Sequence, residues 1–349
     1  MEKAVIAMSG GVDSSVAAAL MLERGCRCIG ITLKLYKGEG RCCSLQDVND
    51  ARAVAFGLGM PHYVLNFTKE FDRQVICRFI ETYERGGTPN PCIDCNRYIK
   101  FNLSCLRARG LEFDCLATGH YARVGRDGAN GRFLLRKPAD DKKDQTYVLY
   151  CLTQEQLAVS RFPLGELSKG EVRKIAEKKQ FVNAAKGESQ DICFVPGGKY
   201  GDFIEAYTGK FYPEGDILDP EGRALGKHRG IIRYTIGQRR GLGVAARVPV
   251  YVAAKSAADN TVTLGPDSSL YRRSLIANDI NLIACEKLEK PLRVKVKTRY
   301  LQIEEPAFAE QTGEDTLRIE FEKPQRALSP GQAAVMYDGD IVVGGGTIV

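Results

Sequence analysis

The sequence contains no tryptophan, no low-complexity tract and no internal repeat. No apolar run approaches the ~20 residues that a membrane-spanning helix needs. The start, Met1-Glu2-Lys3 followed by a short apolar stretch from Ala4 to Met8, lacks the basic opening and long apolar core of a secretory signal. These absences argue against membrane and secreted classes and predict a cytoplasmic chain. A strong charge of one sign is also missing. The net charge of +7 comes from the first 200 residues, with 30 Lys and Arg against 23 Asp and Glu, while the remaining 149 balance at 20 and 20. That excess permits a polyanionic partner without demanding one.

What is present is the profile of a folded globular chain, 44% hydrophobic and 27% charged, and 349 residues call for two or three domains. Twelve cysteines are the most informative feature. In a reducing compartment they are catalytic, metal-bound or reduced rather than structural disulfides.

Short apolar runs alternate with amphipathic ones over the first 120 residues, the pattern of a parallel sheet covered by helices. Lys3 to Met8, Cys28 to Leu35, His62 to Asn66 and Cys115 to Thr118 read as strands; Ser14 to Arg24, Ser44 to Leu58 and Phe71 to Arg85 read as helices. The expected fold is α/β: a doubly wound parallel-sheet domain over 1–197, a small mixed middle domain over 198–273, and a C-terminal β-barrel over 274–349. The barrel rests on short alternating segments, among them Leu292 to Tyr300, Thr316 to Phe321, Ala333 to Tyr337 and Ile341 to Val343.

In such a sheet ligands bind beyond the carboxyl ends of the strands. Ser9-Gly10-Gly11-Val12-Asp13-Ser14-Ser15 follows the first strand and opens the first helix. Two glycines let the backbone approach an anion, and the N–H groups at a helix start point toward it. The lysine of a Walker A loop is missing, which favours holding a pyrophosphate unit over γ-phosphate transfer. Asp13 is placed to influence the helix start or a Mg²⁺ ion.

Three cysteine sites stand apart. Cys92 and Cys95 lie in Thr88-Pro89-Asn90-Pro91-Cys92-Ile93-Asp94-Cys95-Asn96, an extended loop before a helix expected from about Arg97 to Arg109. Cys95 near that helix start, with Arg97 and Lys100 close by, is expected to have a lowered pKa and to serve as nucleophile or ligand. Cys193 follows a polar run and by itself reads as a buried thiol. Cys42-Cys43 is most simply a loop pair. Cys26, Cys28, Cys77, Cys105, Cys115, Cys151 and Cys285 fall in apolar or helical patterns.

The loop SGGVDSS resembles the signature of the ATP pyrophosphatases, whose members split ATP between the α and β phosphates. Together with TPNPCIDCNRYIKF, ATGHYAR, KKDQTYVLY, FPLGEL, ESQDICFV, YTIGQRRGLG, VKTRY and SPGQ, it makes almost the whole chain resemble the tRNA-specific 2-thiouridylase family. That resemblance implies adenylation and then sulfur transfer to C2 of the wobble uridine in tRNAs for Lys, Glu and Gln. The expected partners are tRNA and a sulfur donor, a persulfide carrier protein or sulfide, with the enzyme acting as a monomer.

The resemblance also implies residue roles. Cys95 matches the catalytic cysteine and Cys193 the persulfide carrier, with an alternate Cys95–Cys193 disulfide. Ala7, Met8, Ser9, Gly10, Gly11, Val12, Asp13, Ser14, Leu33 and Gly119 match ATP contacts. Asn90, Pro91, Cys92, His120, Lys143, Asp144, Gln145, Arg299, Tyr300 and Gln332 match tRNA contacts. Several relatives carry an acidic residue at the position of Cys92. A thiol there is a different tool, and Cys92, Cys95 and Cys193 together could instead hold a [4Fe-4S] cluster.

The run Arg293 to Tyr300 would place Arg293, Lys295, Lys297 and Arg299 on one strand face, able to follow a phosphate backbone. Two competing functions are an ATP pyrophosphatase that amidates or ligates a small molecule, and a non-catalytic RNA-binding iron–sulfur protein. The first leaves the cysteines and the basic strand unexplained.

Overall fold

A computed structural model describes residues 1–36, 44–108, 110–187 and 192–349. Cys42 and Cys43 fall outside the described residues.

The first sheet has the order β3-β2-β1-β4-β7, all parallel: β1 (Lys3–Ala7), β2 (Arg27–Lys34), β3 (His62–Asn66), β4 (Cys115–Thr118) and β7 (Ser160–Arg161). Its central strand is almost wholly apolar because both faces are covered. The period of two then sorts its side chains. Val5 packs with Ile31, Leu33 and Leu116 on one side. Ala4 and Ile6 pack with Cys28, Cys115 and Ala117 on the other.

Helix α1 (Val12–Glu23) follows β1 directly, and Gly25 at φ 79° ends its chain direction. Its run Ala17-Ala18-Ala19 is fully buried, small enough to lie close to the sheet on one side and to the helix Lys169–Lys178 on the other. Helix α2 (Leu45–Gly57) opens with a reciprocal cap, in which Ser44 Oγ accepts from the Asp47 N–H and the Asp47 carboxylate accepts from the Ser44 N–H.

A four-stranded sheet of order β10-β11-β8-β9 forms the middle region, from β8 (Gly215–Leu218), β9 (Ala224–His228), β10 (Tyr251–Ser256) and β11 (Thr261–Gly265). The C-terminal strands are β12 (Tyr271–Leu282), β13 (Leu292–Lys297), β14 (Glu305–Gly313), β15 (Thr316–Arg326), β16 (Ala333–Asp338) and β17 (Ile341–Ile348). They run in the order β12-β15-β14-β13-β16-β17, and β12 pairs back onto β17. Closure leaves none of these six as a bare edge. Inside lie Val294, Val296, Ala307, Ile319, Phe321 and Met336.

One hairpin crosses the expected division. β5 (Arg123–Arg126) and β6 (Phe133–Arg136) come from the N-terminal half of the chain, yet Arg136 pairs with Ile341 and the hairpin extends the barrel sheet. Arg123 and Arg136 both bind Asp340, and Arg132 donates to the carbonyls of Leu282 and Ile283. Nothing local in 123–136 marks it as part of a barrel formed 150 residues later.

Candidate active site

Ser9 to Gly11 link β1 to α1. Gly10 has φ 78°, and a Cβ there would overlap the carbonyl of Asp47, so the loop is seated against the first turn of α2. Within the loop, Ser14 Oγ donates to the Gly11 carbonyl at 3.0 Å and accepts from the Ser9 N–H at 3.2 Å. Gly11 is the N-cap of α1 and has no side chain to occupy the helix start, so its first N–H groups face outward as an anion site. Gly119, just beyond β4, is pressed against this turn: a Cβ would lie 2.7 Å from the Ser14 nitrogen and 2.8 Å from the Asp13 carbonyl carbon. Met8 and Leu33 are buried at the strand ends that carry the loop.

Asp13 sits in the first turn of α1, as expected, but its carboxylate is taken. Lys169 Nζ lies 2.7 and 2.8 Å from its two oxygens, and the Tyr121 hydroxyl donates to it at 2.9 Å. The loop is braced from behind by Asn183 Nδ2 and Lys186 Nζ, which donate to the Gly10 carbonyl at 3.0 and 3.2 Å. Lys186 also contacts Asp47 and Asp50, each at 2.6 Å. Burial acts to raise the Asp47 pKa, but bonds from Lys186 and Ser44 outweigh it and hold the carboxyl below the usual range.

The cysteine helix begins earlier than the sequence suggests. It runs Pro91–Cys95 and continues through a π-turn over Asn96–Lys100. Asn90 is the cap, its side chain accepting from the Cys92 N–H at 3.2 Å, and Pro91 occupies the first turn, where its missing N–H costs nothing. Cys92, not Cys95, therefore lies at the helix start, and Cys95 sits one turn inside and is buried. The expected lowering of the Cys95 pKa does not hold. Burial pushes it up to about 12; Lys100 opposes this, while Cys193, Cys92 and Asp94 add to it. Arg97 turns away to pair with Asp279.

Cys92 is exposed, and desolvation raises its thiol pKa ahead of the opposing Lys100 charge. Cys193 is half-buried and electrostatically coupled to both other thiols. No disulfide joins Cys95 to Cys193. His120 follows Gly119, and its Nδ1 lies 2.8 Å from Thr118 Oγ1. Burial and then Lys100 hold its pKa well below 6.5, so its ring is neutral at pH 7. One ammonium, Lys100, thus acts on Cys92, Cys95 and His120, which ties the thiols to the strand end beside the nucleotide loop.

The other expected RNA contacts divide. Tyr300 is exposed, with its ring near that of Tyr147. Asp144 instead pairs with Lys297 at 2.8 Å, both side chains being buried, and Gln145 accepts from the Tyr121 N–H. Lys143 ends a short 3₁₀ turn, Asp141–Lys143. Arg299 donates to the carbonyls of Ala327 and Ile236, and Gln332 donates to the Thr88 carbonyl at 2.8 Å. The basic face of β13 is smaller than its alternation suggests. Arg293 and Lys295 face outward, but Lys297 turns into the Asp144 pair and Arg299 into backbone carbonyls. Gln332 and the Thr88 N–H, which binds the Pro330 carbonyl, fasten the Thr88 to Cys92 loop to the barrel.

Among the described residues no three Cys, His, Asp or Glu side chains gather to hold a metal ion. The sequence reading also missed Lys169, Tyr121, Asn183 and Lys186. Only the pair Asp47 and Asp50, one helical turn apart beside a Ser cap, hinted that the start of α2 holds a cation.

Comparison with known proteins matches three family models along the chain. The family described as tRNA methyl transferase HUP domain matches residues 2–197, the tRNA methyl transferase PRC-barrel domain 201–266, and the aminomethyltransferase beta-barrel domain 272–348. The tRNA-specific 2-thiouridylase MnmA of Clostridioides difficile is 48% identical over 353 residues, covering 99% of this chain and 98% of that one. The protein of the same name from Lachnoclostridium phytofermentans is 46% identical over 357 residues, covering all of both. Among solved structures, a 4-thiouridine synthetase bound to RNA and ATP aligns over 55% of this chain and 44% of its own, at 19% identity and a TM-score of 0.37, too distant to bear on function. With near-half identity sustained from end to end, the chain belongs to the tRNA-specific 2-thiouridylase family.

Proposed function

We propose that this protein is an ATP-dependent tRNA sulfurtransferase that replaces O2 of the wobble uridine with sulfur in the tRNAs for Lys, Glu and Gln, forming 2-thiouridine, AMP and pyrophosphate. One observation carries the reading: Gly119 is pressed against the Asp13–Ser14 turn and His120 directly follows it, with the Lys100 charge bearing on His120, Cys92 and Cys95 alike. An activated nucleotide and a sulfur-bearing thiol must meet at one carbon, and this arrangement supplies that proximity. The relatives named for tRNA 2-thiolation support the same substrate.

ATP is the substrate as its Mg²⁺ complex. Asp13, the carboxylate of the loop, is engaged by Lys169. The uridine O2 attacks the α-phosphorus, the bond to the β-phosphate oxygen breaks, and pyrophosphate leaves toward the N–H groups of Gly11 to Ser14. The C2 oxygen now departs as AMP. In one route the terminal sulfur of a Cys193 persulfide attacks C2 and expels AMP. The Cys95 thiolate then attacks Cys193 Sγ, releasing the thiouridine and leaving a Cys95–Cys193 disulfide. In the other, Cys95 attacks Cys193 Sγ first, freeing hydrosulfide that displaces AMP. Both leave the same disulfide, which an external thiol reductant resets. Cys95 is protonated in the resting site, so it must lose its proton as substrates enter.

The [4Fe-4S] alternative, for which the described residues offer no group of three that could hold a metal ion, is tested by iron and sulfide analysis after anaerobic purification. For the function itself, tRNA is incubated with ATP, Mg²⁺, sulfide or a persulfide donor, and the protein, then digested for nucleoside mass spectrometry. The expected product is 2-thiouridine, dependent on ATP. Its absence with every sulfur source refutes the assignment.

A further inference from the structure

Asn183 and Lys186 attach the chain that follows the helix Lys169–Lys178 to the nucleotide loop by a small set of polar contacts. Lys186, seven positions before Cys193, places its ammonium between Asp47 and Asp50, at 2.6 Å from each, and 3.2 Å from the Gly10 carbonyl. Asn183 adds a bond to that carbonyl at 3.0 Å and another to Ser15 Oγ at 2.9 Å. One stretch of chain therefore holds both the first glycine of the loop and the first turn of α1.

The direction of these contacts matters. In a trans peptide the C=O and the following N–H point to opposite sides. Fixing the Gly10 carbonyl against Lys186 and Asn183 turns the Gly11 N–H away from them, toward the open side of the loop where an anion is held. Gly10 is also packed closely on α2, where a Cβ would overlap the Asp47 carbonyl oxygen. Lys186 also balances two carboxylates beside a site for phosphates. Without it, Asp47 and Asp50 would present uncompensated negative charge to the incoming nucleotide.

We infer that Lys186 is a positioning residue: it presents the Gly11 N–H to the pyrophosphate part of ATP. The inference rests on the ATP-binding part of the function proposed above and not on its sulfur chemistry.

The experiment measures ATP affinity on the full-length protein by equilibrium dialysis with Mg²⁺. Lys186→Met is expected to weaken ATP binding about tenfold, and Lys186→Arg to recover most of it. Asp50→Asn, which removes one of the two carboxylate anchors and leaves the carbonyl bonds, serves if Lys186→Met does not fold; a smaller loss of two- to fivefold is expected. ATP affinity within twofold of wild type in the folded Lys186→Met protein overturns the positioning role, as does unchanged affinity in Asp50→Asn when only that variant folds. ATP affinity is read apart from thiolation, so failure to make 2-thiouridine would refute the function without touching this measurement.

Discussion

Replacing Gly119 with Ala tests the placement of β4 against the nucleotide loop. The new Cβ would stand 2.7 Å from the Ser14 nitrogen, whereas ordinary contact begins near 3.4 Å, so α1 and the end of β4 must part by about 0.7 Å. The obstructing atoms are backbone, in a helix whose neighbouring residues are fully buried, so no side chain can swing aside. Overpacking of this kind costs ~1–3 kcal/mol, which for a domain of this size lowers Tm by roughly 2–10 °C. The functional effect should be larger than the thermal one. The displaced N–H belongs to the turn offered to the phosphates, and losing a hydrogen bond to a charged group costs ~1.5–3 kcal/mol, or about ten- to a hundredfold in ATP affinity. Equilibrium dialysis and thermal melting measure both. Gly57→Ala, where a Cβ meets nothing, is the control and should match the wild type. Gly119→Ala binding ATP within twofold of wild type would refute the assignment of this turn as the nucleotide site.

Two further outcomes are expected. Cys95→Ser and Cys193→Ser each abolish 2-thiouridine formation while changing tRNA affinity less than threefold in filter binding; wild-type turnover in either removes that cysteine from the mechanism. In the substrate-free protein, Cys95 with a pKa near 12 has about one thiolate in ten thousand at pH 8. Its alkylation should therefore rise about tenfold per pH unit from 7 to 9, and a plateau in that range contradicts the burial that raises it.

Much of the N-terminal domain was readable because its signals are local. The apolar runs of β1 and β2, the helices between the strands and the glycine pair after Lys3–Ala7 announce a covered parallel sheet with an anion site at its end. Sequence spacing could not place the cysteine helix, because its start depends on Asn90 capping Cys92 and on Pro91 entering the first turn, and the apparent start at Arg97 is only where its basic residues begin. It misjudged Cys95 for the same reason: proximity along the chain to Arg97 and Lys100 says nothing about desolvation or about Arg97 turning to Asp279.

By itself the sequence determined the glycine-rich loop after the first strand and the alternating core of the barrel, since each depends on residue types within a few positions of one another. Tertiary structure alone decided that Lys169 takes Asp13, that Asp144 is buried against Lys297, that 123–136 joins the barrel, and that Lys186 reaches both Gly10 and α2. Those contacts join residues separated by about 130 to 220 positions. No pattern of propensity or periodicity encodes them, because they follow from how complete elements pack and where their charges meet.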